Sequence, residues 1–132
     1  MRNVMGIIHH IKDEAAFREI TKYRCVAAIP FGGKYRLVDF PLSNMTNAGI
    51  SNIGIITSLK MRSLIDHLGT GKEWGLDRKR DGLFILPAAS GGNEKNRRRL
   101  DLEDIYVNLD YLENSQQEYV LLTGSNIVCN LD

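Results

Sequence analysis

No glycine lies between Gly6 and Gly32. The apolar run Val4-Met5-Gly6-Ile7-Ile8 leads instead into His9-His10-Ile11-Lys12-Asp13. In a nucleotide-binding α/β domain this turn is glycine-rich, because bare backbone N–H groups must close on phosphates. Side chains with Cβ atoms do not readily take the left-handed backbone or allow the close approach, so a cradle of that kind is excluded here. Cysteine is scarce too. Cys25 and Cys129 have no metal-ligand spacing and no signal peptide precedes them, so they read as reduced thiols of a cytoplasmic protein. No apolar run approaches the length of a membrane span, which argues against a membrane partner. Neither sign of charge prevails: 17 basic against 16 acidic residues leave a net charge of +1 and no global bias toward nucleic acid. The local runs Arg78-Lys79-Arg80 and Arg97-Arg98-Arg99 read as solvated loop faces.

What is present describes an α/β domain. A chain of 132 residues has room for one domain with a sizeable core. Val4–Ile8, Ile53–Thr57, Leu83–Leu86 and Tyr119–Thr123 are short, aliphatic and not alternating, as suits parallel strands covered on both faces. Met61, Leu64, Ile65 and Leu68 fall at helical spacing and Gly69 stops them. Leu102, Ile105, Tyr106 and Leu109 repeat that spacing behind Asp101, a suitable N-cap. Pro41 suits the first turn of a short helix through Asn47, ended by Gly49. Strands alternating with helices imply right-handed βαβ units in an open, doubly wound, mainly parallel sheet. Gly69–Gly82 reads as a long polar loop, and Pro87–Arg99 as a second loop with Gly91-Gly92. The chain ends at Asp132, nine residues after the fourth strand. Ligands gather at the carboxyl ends of such strands, so the expectation is an incomplete domain with part of its crevice unbuilt. A sheet left uncovered in that way is expected to self-associate.

Three segments are specific: Phe31–Ile50, with Phe31-Gly32-Gly33-Lys34-Tyr35-Arg36-Leu37-Val38-Asp39-Phe40-Pro41-Leu42-Ser43-Asn44; Asp66-His67-Leu68-Gly69-Thr70-Gly71-Lys72-Glu73-Trp74; and Asn108-Leu109-Asp110. On these the chain resembles the N-terminal portion of bacterial glucose-1-phosphate adenylyltransferase, the ADP-glucose pyrophosphorylase of glycogen biosynthesis. It is most similar to the D-type subunit, the non-catalytic, regulatory relative of the catalytic C-type subunit. The resemblance implies a Rossmann-like nucleotidyltransferase fold, with residues 1–132 as its N-terminal part and a remainder with a β-helix beyond them. Active relatives join glucose 1-phosphate to ATP by in-line attack at the α-phosphorus, supported by positioning and charge neutralisation. They use Mg²⁺, a glycine-rich loop, a lysine near the phosphates and a metal-binding aspartate.

Position by position, those groups are missing. The glycine-rich loop falls on His9-His10-Ile11-Lys12-Asp13, the lysine-proline pair on Val26-Ala27, and the Gly-Asp pair on Gly124-Ser125. A hydroxyl is a poor substitute for a carboxylate on a hard cation. The Arg-Gly-Thr-Ala-Asp segment aligns with Arg99-Leu100-Asp101-Leu102-Glu103, and the glutamines after the third and second strands are Ala89 and Ser58. No catalytic, cofactor-binding or metal residue is therefore assigned, and no cofactor is expected in this chain.

The retained residues carry structural readings. Gly32 and Gly33 make a tight turn, and Arg36 and Asp39 tie it to the next helix by a charge-assisted bond. Ser43, Asn44 and Asn47 share one short helix and hold neighbouring loops. Gly71, Lys72 and Trp74 belong to a candidate ligand or effector loop, with Trp74 equally a packing anchor. Adjacent histidines point in different directions, so His9 and His10 make a weak metal or proton-transfer site. The expected function is a regulatory subunit that modulates a catalytic partner. The alternatives are an active nucleotidyltransferase using His9, Lys12 and Arg99 with Asp132 or a later acid on the metal, and a stand-alone sugar-phosphate or nucleotide sensor.

Overall fold

Strand β1, Val4–His9, sits in the interior of a four-stranded sheet in the computed structural model, which describes residues 2–9, 14–57, 60–89 and 100–130. It pairs in parallel with β4, Asn52–Thr57, on one side and with β6, Tyr119–Gly124, on the other. Beyond β4 lies β5, Gly82–Pro87, also parallel, giving the order β5-β4-β1-β6. A separate two-stranded hairpin joins β2, Pro30–Phe31, to β3, Tyr35–Arg36. The expected sheet and its four strands stand as read from the sequence, within a residue at each end.

Successive side chains of a strand point to opposite faces, and both faces here are apolar. On one, Ile8, Ile53 and Ile55 pack with Leu42 and Met45 of α1, Asp39–Asn47, and with Leu64 and Leu68 of α2, Arg62–Leu68. On the other, Met5, Ile7, Ile56 and Leu86 are covered by Tyr111 and Leu112 of α4, Leu109–Glu113. Helices on both faces make the sheet doubly wound. β6 is apolar yet exposed along Tyr119–Leu122, and it forms one edge of the sheet among the described residues. No helix of the described residues is long and apolar enough to cross a membrane.

Three expectations need correction. The helix behind Asp101 is two helices, α3 over Leu100–Tyr106 and α4, with Asp101 inside α3 rather than capping it. Its apolar spacing does not mark the buried face: Leu102 and Tyr106 are 77% and 75% exposed, while Asp104 and Asn108 are buried. The loop Gly69–Gly82 is partly ordered by a 3-10 turn at Lys72–Trp74, and Leu76 enters the core. The stretch Glu14–Thr21, unassigned in the sequence, is 3-10 helix kinked at Arg18, where φ is +44°. The loop Pro87–Arg99 lies, from residue 90 on, outside the described residues, as do His10–Asp13, Ser58 and Asp132.

Gly82 starts β5 with φ at +102°, and a Cβ there would lie 2.6 Å from the carbonyl oxygen of Leu76. Backbone strain and a backbone clash combine at this residue. Gly82→Ala should lower unfolding free energy by about 2–4 kcal/mol. Urea titration followed by circular dichroism measures it, and a loss under about 0.5 kcal/mol would contradict the assignment.

Candidate functional site

The carboxyl ends of the strands are where an open α/β sheet binds its ligands. They are His9 on β1, Thr57 on β4, Pro87 on β5 and Gly124 on β6. His9 Nε2 lies 2.8 Å from Oδ2 of Asp104, a residue 1% exposed. The other carboxyl oxygen, Oδ1, accepts a 2.7 Å bond from the Ala89 N–H. Asn108 Nδ2 donates to the carbonyls of Pro87, at 2.8 Å, and of Asp104, at 2.7 Å. On the far side of β1, the Ser125 N–H donates to the His9 carbonyl at 3.0 Å. The α3–α4 segment is thereby lashed to the ends of β1 and β5 through polar side chains.

This use of the backbone bears on chemistry. A phosphate cradle needs N–H groups aimed outward. Here two at the strand ends, those of Ala89 and Ser125, are spent on protein acceptors. Ala89 occupies the position expected to contact a nucleotide base, and its N–H faces a carboxyl group. Val26, in the lysine position, is buried with Ile29 and Leu37 against Phe17. Ser125 is fully buried, and its hydroxyl and that of Thr57 have no hydrogen-bond partner among the described residues. Among those residues no group of three or more His, Cys, Asp or Glu side chains is placed to hold a metal ion. The described side chains at this edge do not fit the Mg²⁺ that the resemblance implies for active relatives.

The retained segment forms a clamp beside this edge. Gly32 and Gly33, with φ at +60° and +89°, make the turn of the β2–β3 hairpin. The expected tie between Arg36 and Asp39 exists in altered form. It is the Arg36 backbone N–H that donates to Asp39 Oδ2, at 2.9 Å, while the guanidinium donates to the Ala28 carbonyl at 2.6 Å. The other side-chain partner of Asp39 is His67 on α2, with Nε2 at 2.7 Å from Oδ1. Ser43 accepts a 3.1 Å bond from Trp74 Nε1, and Asn44 Nδ2 donates to the Cys129 carbonyl at 2.9 Å. Asn47 is exposed at the end of α1.

The candidate effector loop is built into this clamp. Gly71, with φ at +77°, is buried where a Cβ would press on Leu76 and Leu83. Trp74 packs on the core beside the His67 ring, 6.3 Å between centroids, and Lys72 is exposed. Of the groups invoked for an alternative active site, His9 is paired with Asp104. Lys12, Arg99 and Asp132, the other groups invoked for an active site, lie outside the described residues.

The sequence reading missed Asp104, the pairing of His9 and the role of Asn108, which it placed in a specific segment without a partner. Their signal was an acid and an amide four residues apart, on the side of the helix opposite Leu102 and Tyr106. The rule that apolar faces turn inward overrode it.

The chain matches the model of the family described as nucleotidyl transferase over residues 16–132. It is 41% identical over 128 residues to the glycogen biosynthesis protein GlgD of Bacillus subtilis, covering 97% of this chain and 37% of that protein. GlgD of Geobacillus stearothermophilus is 40% identical over 129 residues, covering 98% and 38%. Glucose-1-phosphate adenylyltransferase of Thermotoga neapolitana is 39% identical over 128 residues, covering 96% and 30%. The chain thus spans less than two fifths of the length of each of these relatives. In fold it is similar to a Bacillus anthracis protein named for glucose-1-phosphate thymidylyltransferase and crystallised with a sucrose. The TM-score is 0.69 at 19% identity, covering 92% of this chain and 44% of that one.

The His9–Asp104 pair is testable by a double-mutant cycle. His9→Ala, Asp104→Ala and the double variant should show a coupling energy of about 1–3 kcal/mol in urea unfolding. Additive losses would mean that the two side chains do not support each other.

Proposed function

The chain belongs to the nucleotidyl transferase family, and on that premise we propose that it serves as the N-terminal part of a non-catalytic, regulatory subunit of glucose-1-phosphate adenylyltransferase. It acts in cytoplasmic glycogen biosynthesis, modulating a catalytic partner that makes ADP-glucose from ATP and glucose 1-phosphate. The observation that carries this reading is the fate of the donors at the strand ends: Ala89 and Ser125 give their N–H groups to Asp104 and His9 rather than offering them to a phosphate. Similarity to two GlgD proteins, named for glycogen biosynthesis, supports the pathway.

Phosphoryl transfer depends on positioning and charge neutralisation acting together. With Val26 buried in apolar surroundings and Ser125 in place of a carboxylate, neither is supplied at the described edge. The clamp through Asp39, His67 and Trp74 holds the fold that presents the subunit interface. The exposed apolar run Tyr119–Leu122 supports self-association of a chain of these 132 residues.

Two measurements test the proposal. Calorimetric titration with MgATP should give no saturable heat at micromolar ligand, whereas clear one-to-one binding would sink it. Mixing the full-length subunit with a catalytic subunit should change the latter's maximal rate or effector dependence, since a regulatory interface must favour one of two states. Kinetics of the mixture equal to those of the catalytic subunit alone, with no co-purification, would show the regulatory assignment to be wrong.

A further inference from the structure

At the opposite end of the sheet, the amino ends of β4 and β5 frame a groove of about 490 Å³. That lies within the ~300–1,000 Å³ usual for small-molecule sites. Its apolar wall is an aromatic pair, Phe84 of β5 and Tyr111 of α4, with centroids 5.2 Å apart and planes inclined by 53°. Phe84 remains 41% exposed. Tyr111 reaches this position because Gly54 has no side chain: a Cβ there would lie 3.0 Å from the tyrosine ring. The absence of a Cβ on β4 is thus what opens the wall.

Behind the aromatic pair runs a chain of side-chain hydrogen bonds. Tyr111 donates to Asn52 Oδ1 at 2.6 Å, and Asn52 Nδ2 donates to Gln117 Oε1 at 2.9 Å. Gln117 Nε2 and the Ser51 hydroxyl both donate to Asp81, at 3.4 and 3.3 Å. Burial, with Asp81 nearby, raises the Tyr111 phenol well above its ordinary value, so it stays a neutral donor. These bonds fix the floor before anything binds, which lowers the entropic cost of binding.

The rim has different chemistry. Asn114, Gln116 and Arg80 line the groove and are exposed, and their side chains have no hydrogen-bond partner among the described residues. Amides both donate and accept, as hydroxyl groups do, and a guanidinium donates in a fork to neighbouring oxygens. Arg80 and Asp81 bring opposite charges to the same groove, so its net charge offers nothing to a phosphate. An uncovered aromatic ring stacks against the C–H face of a pyranose, whose hydrogens carry partial positive charge.

We propose that this groove binds a neutral oligosaccharide, one sugar ring against Phe84 and Tyr111 and its hydroxyl groups on Asn114, Gln116 and Arg80. The site is separate from the carboxyl edge, and its failure would leave the regulatory reading intact. Chemical-shift titration of the full chain with maltotriose and with cellobiose, beside glucose 1-phosphate, tests it. At least one of the two neutral sugars should saturate shifts of residues lining the groove with a dissociation constant on the order of a millimolar. Glucose 1-phosphate should bind more weakly. The exposed double variant Asn114→Ala/Gln116→Ala should raise that constant about tenfold, the loss of one or two hydrogen bonds, with an unchanged melting temperature. Phe84→Ala should abolish the shifts. No saturable shift with either neutral sugar, tighter binding of glucose 1-phosphate, or equal affinity in the double variant would overturn the proposal.

Discussion

β1 is hydrogen-bonded along both edges and apolar on both faces, and the remaining elements are arranged to satisfy it. Parallel strands cannot be joined by a tight turn, so each partner must arrive through a crossover. The crossovers deposit α1 and α2 near one face and α4 on the other. Space for the first is set by Gly6, where a Cβ would run into the Met45 thioether. Pairing, coverage and helix approach are therefore one constraint seen three ways.

Around that strand the two faces of function separate. At its carboxyl end the polar groups turn inward and bind one another, through His9, Asp104, Ala89 and Asn108. Along the neighbouring hairpin and helix, the residues that most specify the family make a clamp centred on Asp39, whose carboxylate takes the Arg36 N–H and the His67 ring at once. The side chains of the segment are bonded to neighbouring backbone and helices. A fold shared with enzymes is compatible with a chain whose strand ends are closed by its own side chains.

The sheet was legible because its strands are short aliphatic runs bounded by turn residues, and α2 because Leu64 and Leu68 fall one turn apart before Gly69. The long-range pairs were not. Nothing local joins His9 to Asp104, ninety-five residues on, or Asp39 to His67, twenty-eight residues on. Arg36 and Asp39 do meet, but spacing alone does not say that the main chain rather than the guanidinium makes the bond. The α3 region misled because Leu102 and Tyr106 carry a helical period that faces solvent here. Periodicity shows that a face exists, and tertiary contacts decide whether it is covered.

Trp74 is the single tryptophan of the chain. Its indole N–H is bonded to Ser43 on α1, and its ring lies beside His67 on α2. The molecule consequently carries an intrinsic optical reporter at the meeting point of two helices and the family segment. Emission from that indole is sensitive to the polarity of its surroundings and to a neighbouring imidazole. Any partner that slides α1 against α2 would announce itself as a change in colour or intensity, without a dye and without a label.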